Sequence, residues 1–186
     1  MDRKEIRLIA QHTFADQQSN EESWYSCAIS YHEGANVLWQ HRDSIHGGMR
    51  VFLTNAALSI ELLLKAIIVA RDGTTAMNHE LQGLARNAGI AFTKDQEATL
   101  EFLGEFLKWS GRYPVPKKEE AWNHYYDEVH ERLVIREREG NVGRIRANPE
   151  TFPSIEVCEK LWNLANRKWG EIQAGGPDLV DRSKPL

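Results

Sequence analysis

Apolar residues recur three and four positions apart along most of this chain, and no run alternates as a half-buried strand would. The first stripe, Trp24, Ala28, Tyr31, Ala35, Leu38 and Trp39, predicts a helix over about residues 19–42. Ser19-Asn20-Glu21-Glu22 fits a capping box at its start, and Gly47-Gly48 breaks it. Residues 49–71 form a second helix that is apolar around most of its circumference, which marks a central helix covered on several sides. Gly73 suits a left-handed stop. A short third helix follows over 80–88, with Asn78 or His79 at its start and Gly89 at its end. Thr93-Lys94-Asp95-Gln96 is another capping box. It opens a helix carrying Leu100, Leu103 and Leu107 on one stripe and Phe102, Phe106 and Trp109 beside it. Gly111-Arg112-Tyr113-Pro114-Val115-Pro116 is a stiff loop, since both prolines fix φ and remove donors. A fifth helix is expected over 117–139 with Ala121, Trp122, Tyr125, Val129 and Leu133 inward, then a loop over 140–149. The last helix covers 153–172, with Ile155, Cys158, Leu161, Trp162, Ala165 and Trp169. The pattern predicts an all-α fold: an antiparallel bundle of five to six helices in a single domain over residues 19–172. Residues 1–18 read as an arm or short helix, and 173–186 as a flexible tail.

Within residues 51–70 only Glu61 and Lys65 are charged. The stretch is long enough to cross a bilayer, but a charge at its centre costs about 2.5 to 3.5 kcal/mol on insertion, so a buried helix in a bundle is the expectation, with no membrane. Positions 61 and 65 share a helix face, with the acid ahead of the base in the favourable order. Two buried charges are tolerable together and costly apart. The pair reads either as internal glue that orients a neighbouring helix or loop, or as the floor of a cleft near His79 and Arg112.

Composition changes this picture little. The chain has 186 residues, 41% hydrophobic and 27% charged, with a formal net charge of −4, so no global basic field points to nucleic acid. Any polyanion site must be local. Cys27 and Cys158 match no metal spacing and imply no disulfide scaffold, which fits a reducing cytoplasm. The charged start of the chain lacks the apolar core of a signal peptide.

Four elements, in order, resemble the HEPN domain, the all-helical partner of minimal nucleotidyltransferases and a relative of prokaryotic defence and toxin proteins. A first helix carries an aromatic and small-residue face, SYHEGANVLWQH over residues 30–41. Ala57-Leu58-Ser59-Ile60-Glu61-Leu62-Leu63-Leu64-Lys65-Ala66 is similar to the family's A-x-x-IELLLKA helix. Asn78-His79-Glu80-Leu81 stands where members carry G-H-D/E-L, and Arg112-Tyr113-Pro114 resembles an R-Y-P element. The match covers residues 24–139. It implies a HEPN-like bundle, a second copy, a nucleotidyltransferase or an antitoxin as partner, and a role in RNA or nucleotide binding.

Ribonucleases of that superfamily typically place an arginine and a histidine four to six residues apart on a core helix, the histidine as acid or base and the arginine on the phosphate. Here Arg7 and His12 have that separation; they precede the bundle, and seven histidines among many arginines produce such pairs by chance. The chain therefore reads as a binding protein in a toxin–antitoxin, nucleotidyltransferase-associated or defence system. The alternatives are a metal-independent endoribonuclease using Arg7/His12 or His79/Arg112, and a plain oligomeric scaffold. Candidate binding residues are Glu61, Lys65, His79, Arg112, Tyr113, and Arg132 and Arg136 within an arginine-rich run over 132–146. His32, His41 and His46 do not share a helical face with a carboxylate and read as surface histidines; His124, Asp127 and His130 have a spacing common on exposed helices. No metal or cofactor site is expected.

Overall fold

The structure is a computed structural model and describes residues 2–10, 13–139 and 142–175. Its centre is three helices: α3 (Glu21–His41), α4 (Gly48–Asp72) and α8 (Ile155–Gln173). Between α3 and α4, Trp39 packs on Phe52 at 4.9 Å, Gly34 faces Asn55, and Trp24 lies 5.8 Å from the Lys65 ammonium. One set of numbers falls as the other rises, so the two helices are antiparallel. On α8 the same rule holds against α3: Tyr25 stacks on Trp169 at 4.6 Å, His32 on Trp162 at 4.0 Å, and Asn36 donates to Glu159 at 3.2 Å. The reversal between α3 and α4 needs glycine twice. Gly47 is left-handed at φ 70°, and a Cβ on Gly48 would stand 2.2 Å from the Arg42 carbonyl oxygen.

The remaining side of α4 is covered by α5 (Leu81–Asn87) and α6 (Lys94–Glu105), which explains a helix apolar all round. Phe52, Ile60, Leu63, Leu64 and Ile67 are fully buried, each contributing about 1.5 to 3 kcal/mol of apolar transfer. Among the described helices only α4 is long and apolar enough to cross a membrane, and 72% of its most apolar window is buried inside the protein. Helix α6 runs into a wider π-helical turn, Phe106–Ser110. After the proline loop, α7 (Glu119–His124) likewise runs into a π-helical turn, Tyr125–Val129, and a 3-10 turn, His130–Leu133.

Before the bundle lie α1 (Arg3–Ile9) and α2 (Phe14–Ser19), each opened by a capping box and neither holding a buried residue. The C-terminal tail expected over 173–186 falls, from residue 176 on, outside the described residues, as does His12.

Most of the predicted elements stand, but three expectations are corrected. The chain is mostly helical rather than all-α: residues 134–139 and 142–147, read as helix end and loop, form the hairpin β1 (Val134–Glu139) and β2 (Val142–Ala147). The strands are antiparallel, from Val134 opposite Ala147 to Glu139 opposite Val142. The reason is visible in hindsight: Val134, Ile135, Val142 and Ile145 are β-branched, and Gly140-Asn141 is a two-residue hairpin signal, whereas the charges between them read as a solvated helix. Second, the predicted fifth helix over 117–139 is only α7 and its two irregular turns. Third, α3 is capped by Asn20, whose side chain accepts from Ser23 N at 3.1 Å; Ser19 is the last residue of α2. The Thr93–Gln96 capping box forms as expected.

Candidate functional site

The two charges at the centre of helix α4, Glu61 and Lys65, meet a third group. Glu61 and Lys65 are each 3% exposed, and Lys65 Nζ donates to Glu61 Oε1 at 2.7 Å. The other carboxylate oxygen, Oε2, lies 2.7 Å from His79 Nδ1. A carboxylate oxygen only accepts, so Nδ1 carries the proton, and Nε2 is left as the outward nitrogen of a side chain 40% exposed. One buried carboxylate therefore neutralises a buried ammonium and fixes the ring of a surface histidine. The pair thus ties α4 to the loop that carries His79. Trp24, placed by α3 above the Lys65 ammonium, closes the cluster with a cation–π contact.

The loop that presents His79 is held by its own backbone. Gly73 ends α4 in the left-handed region, Asn78 Oδ1 accepts from Glu80 N at 3.1 Å, and the His79 carbonyl rests against Gly104 of α6, where a Cβ would come within 3.2 Å. Next to it, Lys108 bridges Glu80 at 2.5 Å and Glu105 at 2.8 Å. Burial pulls the Lys108 ammonium down, but the hydrogen bonds to Glu105 and Glu80 outweigh it and hold its pKa above the usual lysine value.

Arg112 does not complete a pair with His79. Its Nη2 donates to the Lys108 carbonyl at 3.0 Å and its guanidinium sits 5.7 Å from the Tyr113 ring. Tyr113 is 55% exposed. Arg132 binds Glu101 at 2.6 Å, Arg136 binds Glu131, and Arg146 binds Glu137 at 2.7 Å, so acids temper the arginine run along the hairpin. Arg7 is exposed on α1. His32, expected at the surface, is instead half-buried on Trp162. Among the described residues no group of three metal-ligating side chains occurs.

Sequence reasoning did not find Trp24 as a partner of Lys65, or the Lys108–Glu80–Glu105 bridge. The first was legible only as one member of an apolar stripe. The second joins Lys108 to Glu105 at a helical spacing of three but also to Glu80, 28 positions away, which no local pattern signals. No family model, curated protein or solved structure matches this chain.

Proposed function

We propose that this is a HEPN-like helical module that acts by binding RNA or a nucleotide, without catalysis, in a prokaryotic toxin–antitoxin, nucleotidyltransferase-associated or defence setting. In this reading it works in the cytoplasm as a homodimer, beside a nucleotidyltransferase or antitoxin partner. The observation that carries it is the Glu61 carboxylate, which ties the IELLLKA-like helix to the histidine of the H-E-L turn. A single buried group links these two elements of the resemblance. In its doubly protonated form His79 donates its second ring N–H to phosphate, while Tyr113 offers a stacking face. Binding is preferred to cleavage because Arg112 bonds to the Lys108 carbonyl of the preceding π-helical turn rather than to a group beside His79.

The test is fluorescence anisotropy of a labelled single-stranded RNA, run at low and at physiological salt. The expected result is saturable binding that weakens steeply with salt and is reduced in His79→Ala. RNA that stays free at low salt would remove the reading. The carboxylate-held histidine specifically favours a second reading, a metal-independent endoribonuclease with His79 as acid or base. RNA cut in the presence of a chelator, and left whole by His79→Ala, would put that reading first.

A further inference from the structure

A cleft of about 700 Å³ opens between the π-helical turn Phe106–Ser110 and the rigid segment leading into α7. Its walls are mostly apolar: Trp109, Tyr113, Pro114, Val115, Pro116 and Ala121. That volume suits one small organic molecule. Two prolines hold one wall, so little order has to be imposed on binding. Single-turn π-helical segments inside α-helices are frequent at functional sites.

The polar groups at this cleft have one sign in excess. Lys108, Lys117 and Lys118 line it against a single acid, Glu105. Lys108 is committed to Glu105 and Glu80, whereas neither Lys117 nor Lys118 forms a salt bridge with a described residue. Trp109 is 7% exposed, and its indole Nε1–H is buried without an acceptor among the described residues.

We propose that this cleft is a binding site for a planar aromatic anion: a flat ring against Trp109, Tyr113 and the prolines, with its negative group at Lys117 and Lys118. A cation of the same shape would meet three ammonium groups and one carboxylate. The cleft shares Tyr113 with the function proposed above, but the Glu61–His79 cluster contributes no residue to it.

Two sources carry this chemistry, a nucleotide and an aryl carboxylate. Isothermal titration of the full chain with adenosine monophosphate and with indole-3-acetate separates them. Adenosine and tryptamine serve as the uncharged and cationic counterparts. At least one anion is expected to bind with a Kd below about 1 mM and more tightly than its counterpart. Lys117→Gln/Lys118→Gln is expected to weaken it by about fivefold to tenfold, and Lys160→Gln, exposed on α8 away from the cleft, to leave it unchanged. Both lysines are exposed, so the variant keeps its fold. Failure of both anions to bind, equal binding of a counterpart, indifference to the Lys117/Lys118 variant, or an equal loss in Lys160→Gln would each overturn the assignment.

Discussion

Replacing Lys65 by methionine removes one charge and keeps the shape of the side chain. In the native protein the ammonium and the Glu61 carboxylate are 2.7 Å apart, and both side chains are 4% exposed, so water screens neither. Without Lys65 the carboxylate stays buried, with only the half-exposed His79 ring to balance it. Breaking a buried ion pair from one side costs about 3 to 5 kcal/mol, because an uncompensated charge is left behind. For a chain of this size each kcal/mol moves Tm by about 2 to 4 °C, which gives a fall of about 6 to 20 °C. The double variant Glu61→Gln/Lys65→Met has no charge to strand, and should regain most of that loss. Urea unfolding of the wild type, both singles and the double closes the cycle, with a coupling of at least about 2 kcal/mol expected. A Lys65→Met protein within about 1 kcal/mol of the wild type, or a double no more stable than the single, would refute the argument that burial makes this pair interdependent.

Three further outcomes follow from particular contacts. Burial, with the Glu159 and Glu156 carboxylates adding to it, pushes the Cys158 thiol up to about 12, so Ellman's reagent at pH 8 should titrate Cys27 alone in the native protein and both thiols after unfolding. Gly48→Ala should destabilise by about 1 to 3 kcal/mol in a denaturant melt, because its Cβ meets the Arg42 backbone rather than a movable side chain. Burial lowers the His32 pKa below the ordinary 6.5, against the raising effect of Glu159 and Glu33. The unfolded chain then binds more protons, so stability is complete above about pH 6.5 and declines as the pH falls through the native pKa. An NMR titration of the His32 ring that gives a midpoint at or above 6.5 would contradict this.

The helical frame was legible because its signals are local. Gly73, the Thr93–Gln96 box and the 3.6-residue stripes act within one or two turns, and each stands where the sequence implied. The i,i+4 relation of Glu61 and Lys65 was legible for the same reason. What joined them to His79 was not, since that contact depends on how the loop after Gly73 folds back across α4. The hairpin was lost to competing signals: Arg136, Glu137 and Arg138 between β-branched residues suit a solvated helix as well as an exposed strand. The π-helical turns left no mark in the apolar spacing at all, because the aromatic residues Trp109 and Tyr125 satisfy a helical stripe with or without the wider turn.

The hairpin's root has a consequence for how the chain tolerates length. Asn148 N donates to the Leu133 carbonyl at 2.8 Å, and Thr151 ties Arg132 to Thr99 through its hydroxyl and its carbonyl. The polypeptide thus leaves the helices and re-enters them through a doorway already fastened from inside. Whatever hangs beyond that doorway can be trimmed to a tight turn, or enlarged to carry a reporter, while the helices below remain indifferent to the exchange.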